Sequence, residues 1–473
     1  MSGRNDVTET PDPQLLDAVD AVVVGGGGSG LAAACAALER GGRVLLLEKE
    51  RELGGTTALA VGSFTACGTS LQLAAGIDDA LEAHAEDAAK FAPPGIEARN
   101  NEPLRRFFLS RAAATFEWLR ELGLEFTGPR AEPPNRVSRM HNVAAGGVAY
   151  IEPLEREVLR RGGEIRRDAR VVELCLRERR VVGVRFEERG ALRQVEARRG
   201  VVLAAGDYTA SRELIRRHKG EEFAAVEGVN PRASGDGQRL AAGAGARLLN
   251  MDVAFGPELR FVAGDSRTWL HPESSLFESG AVLVNRRGER FTDERQGGAR
   301  ELDATRQGGG ECYLLLDGRL ARLFSAWPRF VSTAPGIGYA YVEDYLATRP
   351  DIAVRAAGLD DLARRRHLDP ERLAAAVEDV NRERRGGGVD VPPLEDAPWV
   401  LLGPAKAYFT TTEGGAAVNE RLQVLDGDGH AIAGLHAAGQ NGLGGMVLWG
   451  HGLHIAWALT SGRLAGEAVM ERG

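Results

Sequence analysis

The chain of 473 residues is poor in cysteine and lysine. The four cysteines, Cys35, Cys67, Cys175 and Cys312, stand far apart, with no CxxC and no CxxCH. A disulfide framework, a cysteine zinc site, an iron–sulfur cluster and an attached c-type haem are therefore excluded as sequence readings. Of the 59 basic residues only Lys49, Lys90, Lys219 and Lys406 are lysines, which lowers the weight any single arginine deserves as a candidate. No basic block stands out and the formal net charge is −8, so a nucleic-acid partner is not expected. No apolar run reaches the length of a membrane span, and the N-terminal residues have no leader-like apolar stretch. The reading is a cytoplasmic protein with neither a nucleic-acid nor a membrane partner. At 43% hydrophobic and 27% charged, it is a soluble globular chain longer than one ordinary domain.

Glycine is abundant, and its placement carries the first functional signal. Ala21-Val22-Val23-Val24 reads as a buried strand, followed by Gly25-Gly26-Gly27-Gly28-Ser29-Gly30 and a helical run from Leu31 to Glu39. This is GxGxxG between strand and helix: Gly25 for the tight turn, Gly27 for close approach to a pyrophosphate, Gly30 for helix–strand packing. The helix start offers free N–H groups to phosphate. A second strand, Arg43 to Glu48, ends in a carboxylate placed to accept hydrogen bonds from a ribose. The site is therefore a dinucleotide site.

The segment Glu48-Lys49-Glu50-Arg51-Glu52-Leu53-Gly54-Gly55-Thr56-Thr57 suits a loop passing a second bound group. It resembles a stretch of the fumarate reductase/succinate dehydrogenase flavoprotein-like family, of FAD-binding domain 2 type, which also contains 3-ketosteroid dehydrogenases. Further pieces resemble that family in its own order: Val201 to Tyr208, Ser234-Gly235-Asp236-Gly237, Val282 to Phe291, Thr412-Glu413-Gly414-Gly415, Gln423 to Asp426, Ala433 to Gly439, and Ser461 to Gly466.

The resemblance implies an α/β fold, a Rossmann-type FAD-binding domain with an inserted α+β cap that carries much of the substrate pocket. The boundaries expected are 14–254 and 394–473 for the two parts of the FAD-binding domain and 255–393 for the cap. FAD contacts are expected at Gly25, Gly27, Gly28, Ser29, Gly30, Glu48, Lys49, Gly54, Gly55, Thr56, Thr57, Val171, Ala205, Gly206, Asp236, Gly439, Gln440, Gly452 and Leu453. The final helix, starting near Gly452, points its positive end at the flavin in this family, which favours negative charge there. Some relatives attach FAD through a histidine near the Gly-Gly-Thr loop. None lies between Gly54 and Ser70, so non-covalent FAD is expected.

The chain departs from the dicarboxylate enzymes of the family at three positions. Thr411 stands for their histidine, Gly442 for one arginine, and Gly298 for the proton-donating arginine. Two buried carboxylates need paired cations. The substrate expected is a small carbonyl compound with one polar handle and an apolar body, changed at a carbon–carbon bond, as in the ketosteroid dehydrogenases of the family rather than its fumarate reductases. An unidentified electron acceptor or donor completes the cycle. His271, Tyr341, Tyr408 and His451 are the catalytic candidates, with Tyr339, Tyr345, His454 and Glu413 near them in sequence. Each tyrosine serves equally as core packing, and no metal ligand set is expected. Chemistry at a C–N or C–O bond, and a non-catalytic flavin-binding redox sensor, remain alternatives. Arg136, Arg139, His141 and Asn142 form a further polar cluster that binds substrate or solvates a loop.

Overall fold

The computed structural model describes residues 13–263, 266–267, 271–334, 338–387 and 390–471. The N-terminal residues read for a leader, Gly336-Ile337 before Tyr339, and Gly388-Val389 near the end of the expected cap lie outside the described residues.

Four strands form a parallel sheet in the order Ala191–Leu203, Val19–Val24, Val44–Leu47, Glu164–Arg166, and Ala431–Ala437 extends it beside Ala191–Leu203. Val22, Val23, Leu46, Val201 and Val202 are fully or almost fully buried, as strands covered on both faces must be. The first half of Ala191–Leu203 leaves this sheet and joins an antiparallel ribbon of Ala169–Arg177 and Arg180–Glu188. Glu178 and Arg179 turn that ribbon with φ of 49° and 63°, the twist a two-residue hairpin prefers.

Helix Gly28–Glu39 lies against the C-terminal helix Leu453–Met470 at backbone contact. A Cβ on Gly466 would sit 2.1 Å from the Ala33 carbonyl oxygen, and one on Gly462 2.2 Å from that of Ser29. Gly30 plays the same part against the sheet, since its Cβ would lie 1.8 Å from Gly25 O.

A second hydrophobic core runs from Leu259 to Ala407. Its sheet centres on Trp399–Phe409, flanked by Glu258–Ala263 and Cys312–Leu316, with Val282–Asn285 outside the latter. The boundary expected at 393 thus falls before a strand that is hydrogen-bonded inside this second sheet. Apolar alternation identifies a strand but not the sheet it joins. Helix Pro370–Arg385 covers the core, and Asp369 caps it by accepting from Glu371 N and Arg372 N. Cys35, Cys67, Cys175 and Cys312 are all free. Among the described residues no helix is long and apolar enough to cross a membrane.

Candidate active site

A cavity of about 670 Å³ runs from the Gly25–Ser29 turn to His271 and His451. That volume falls in the range of cofactor sites. At its first end the backbone is bare where a ligand must approach. A Cβ on Gly27 would meet nothing nearer than Gly54 O at 3.7 Å, and one on Gly206 nothing within 4 Å. Gly25, at φ 108°, could carry no side chain, because Ala204 O is 2.4 Å from that Cβ. Helix Gly28–Glu39 starts on this wall; Gly28 N donates to Thr57 Oγ1 at 3.2 Å, and the N–H groups of the first turn have no partner within the helix.

The remaining walls are held by latches. Glu48 Oε2 accepts from Gly26 N at 2.6 Å and Oε1 from Glu50 N at 2.8 Å. Burial pushes this carboxyl up, and those two amides and Lys49 work against the rise. Lys49 Nζ donates to Arg232 O, Ser234 Oγ and Asp236 Oδ2 at 2.6, 2.6 and 2.9 Å, tying the strand end to the Ser234–Gly237 turn. Gly54 pairs with the glycine turn through its N–H to Gly26 O at 2.9 Å, and Thr56 Oγ1 accepts from Asn230 Nδ2 at 3.0 Å. Asn441 bridges Ala205 N and Gly206 O at 2.6 and 2.8 Å. Gly439 N donates to Ser461 Oγ at 2.8 Å, and Gln440 Nε2 to Thr411 Oγ1 at 2.8 Å. Gly452, at φ 80°, closes the wall and starts the C-terminal helix.

At the opposite end the lining is Phe255, Arg260, His271, Thr333, Thr410, Trp449, His451 and His454. His451 Nδ1 lies 2.6 Å from Glu132 Oε1, and its backbone N–H donates to the same oxygen at 2.9 Å. Burial opposes charge on this imidazole, but the Glu132 carboxylate outweighs it and holds the pKa up at about 9. The His271 ring is 5.8 Å from that of His451, and burial pushes it the other way, down from its ordinary value. Arg260 Nη2 donates to Thr410 Oγ1 at 2.7 Å and reaches Glu258 at 3.3 Å, while Thr410 donates to Glu258 at 2.7 Å. Burial opposes charge on Glu258, yet His271, Arg260 and Thr410 keep it below its ordinary value. His454 Nε2 is 2.9 Å from Glu413, which is fully buried and stands behind the lining.

The family described as FAD binding domain matches residues 20–450. The chain belongs to that family. It is 28% identical over 466 residues to a probable fumarate reductase of Shewanella frigidimarina, covering 95% of this chain and 74% of that protein. Among solved structures it is similar to the open conformation of a flavocytochrome c3 fumarate reductase, at TM-score 0.79 and 25% identity, over 97% of this chain and 78% of that one. The 3-ketosteroid Δ1-dehydrogenase of Sterolibacterium denitrificans shares the fold at TM-score 0.71 and 20% identity, over 96% of this chain and all of that one. The protein is an FAD-dependent oxidoreductase. The bare glycines and the helix start on the cavity wall fit the cofactor its family binds.

Of the cofactor candidates of this FAD-binding chain, Gly25, Gly27, Gly28, Ser29, Glu48, Lys49, Gly55, Thr56, Thr57, Val171, Ala205, Gly206, Asp236, Gly439, Gln440 and Gly452 line the cavity. Gly30, Gly54 and Leu453 stand behind it, in packing, in the turn and in the first helical residue. Glu48 also has a structural part: one oxygen accepts from Gly26 N and the other from Glu50 N, and each keeps a further lone pair for the ribose contact read for it.

His271 and His451 share the far end of the cavity; Tyr408 and Tyr341 do not line it. Tyr408 is 4% exposed, on a central strand between Glu227 and Glu258. Tyr341 precedes helix Val342–Thr348, its N–H donated to Asp344 Oδ2 at 2.8 Å. Tyr339 bonds the Ala131 carbonyl and Tyr345 bonds Ser332, and neither lines the cavity. Arg139 is fully buried between Asp79 and Asp87, and Arg136 pairs with Asp87 and Glu86, so these two arginines form an ion network; His141 bonds Thr69, and Asn142 accepts from Ser63 Oγ at 2.6 Å. Sequence reasoning missed Glu132, Glu258 and Arg260, which come from segments far from His451 and carry no motif.

Proposed function

We propose that the protein moves hydride to or from a carbon–carbon bond next to a carbonyl or carboxyl group, in a small substrate with one polar handle and an apolar body. The observation that carries this reading is the His451–Glu132 pair, facing His271 at the end of a cavity whose other end is built for a dinucleotide. FAD, held non-covalently by the Gly25–Gly30 turn, Lys49, the Gly54–Thr57 loop and Gln440, supplies the hydride chemistry when bound.

His451 holds the proton for the carbon adjacent to the one that exchanges hydride. Glu132 positions the ring and keeps it charged. His271, whose charged form burial disfavours, offers a second hydrogen-bonding group, and Arg260 with Thr410 faces the carbonyl or carboxyl oxygen. Phe255 and Trp449, packed edge to face at 5.3 Å, give the apolar body a wall.

Three features support one handle rather than two. Around the histidines Arg260 and His451 stand against the carboxylates of Glu132, Glu258 and Glu273, a balance that disfavours a dianion. A Cβ at Gly442 would lie 2.3 Å from Ala437 O, so an arginine has no room there. Arg300, the nearest arginine to Gly298 on that helix, is bound to Glu301 and Glu294 O and does not line the cavity.

The test is His451→Asn, which keeps a polar group of similar size. Turnover is expected to fall about a hundredfold or more with FAD still bound, the scale of a lost general acid or base. Wild-type turnover in the FAD-loaded variant overturns the reading.

A further inference from the structure

His271, Glu273 and His451 each present one ligand atom, and these atoms all lie within 4.8 Å of one another. Two imidazoles and one carboxylate with an open fourth position form a donor set that binds zinc. Tetrahedral zinc needs ligand atoms roughly 3.3 Å apart, a closure that small side-chain rotations supply. His271 Nε2 already stands 3.6 Å from Glu273 Oε1. Glu132 Oε1 stands 2.6 Å from Nδ1 of His451 and orients the ring; with an ion on Nε2 it would play the part of an outer carboxylate behind a zinc-bound histidine. The excess of carboxylates over cations around the pair also favours a cation. The histidines carry no local metal motif, since 180 residues separate them in sequence.

We propose that His271, Glu273 and His451 form a zinc-class divalent-cation site at the substrate end of the cavity, and that an ion bound there switches the enzyme off reversibly. The switch rests on the reading of His451 as the proton-holding group: the ion takes the nitrogen that would carry the proton, and that proton leaves to solvent as the metal binds. The site itself does not depend on that reading.

The experiment titrates the FAD-loaded protein with Zn2+ in competition with a chromogenic chelator, and follows turnover in parallel. One site per chain is expected in the wild type. His271→Ala and Glu273→Gln should each weaken it by about tenfold or more while FAD stays bound, on the scale of metal sites that lose a supporting group. His430→Ala serves as the control, because Asp426, Asp428 and His430 form the other such group among the described residues, and it should leave this affinity unchanged. Turnover should fall as the site fills and return when the chelator is in excess. Absence of stoichiometric binding in the wild type, or equal affinity in both site variants, overturns the site. Tight binding lost in both variants but without effect on turnover overturns the switch, and with it the role of His451, while the site stands.

Discussion

Between Gly450 and Gly452, His451 has its backbone N–H and one ring nitrogen on a single carboxylate oxygen of Glu132. Its folded pKa of about 9 lies above the ordinary 6.5, so the pair adds stability below about pH 6.5 and loses it as pH rises through 9. The same titration sets the rate. In the reducing direction kcat/KM should fall as pH rises through about 9, since the charged ring is the acid; in the dehydrogenating direction it should rise there. Glu132→Gln removes the carboxylate and leaves the burial, so the inflection should move well down, toward or below the ordinary histidine value. A kcat/KM–pH profile whose inflection stays near 9 in that variant would show that another group is being titrated. His451 was legible because glycines flank it at the start of a helix. Glu132 was not, since nothing near residue 132 records that the chain returns to meet residue 451. Tyr408 misled for the converse reason: proximity in sequence to the Thr412–Gly415 loop did not bring it to the cavity.

At the scale of elements, the glycine turn and the paired helices make separable predictions. Gly27→Val adds a Cβ that meets no protein atom closer than Gly54 O and carries its methyl groups on a residue lining the cavity, so the variant should fold and purify nearly free of FAD. FAD content by absorbance checks this, and full occupancy would mean that the turn does not face the pyrophosphate. Gly466→Val forces a side chain against Ala33 O and should cost stability by about 3 kcal/mol, the upper end of overpacking penalties, read by denaturant unfolding. Undiminished stability there would show that the two helices separate freely. The elements were the most legible part of the chain. The strand–turn–helix at 19–39, the hairpin ribbon and the final helix from Leu453 follow from local pattern alone. Trp399–Phe409 was the exception, because pairing partners distant in sequence, Leu259 to Phe261 and Cys312 to Leu316, decide its sheet.

For the whole molecule, one core carries the dinucleotide end of the cavity and the second contributes Arg260 and His271 to the other end. The order of motifs along the chain made the family legible, because each motif is a backbone requirement of the cofactor. Specificity was less legible, since it depends on side chains that meet only after both units have folded. The account's central claim is hydride transfer to or from a carbon–carbon bond of a substrate with a single polar handle. The most direct test is to photoreduce the FAD-loaded protein without oxygen and mix it with enones, with enoic monoacids and with fumarate, following the visible flavin band. The band should return rapidly with at least one single-handled substrate and stay bleached with fumarate. Rapid reoxidation by fumarate, or none by any conjugated carbonyl or carboxyl compound, would contradict the claim.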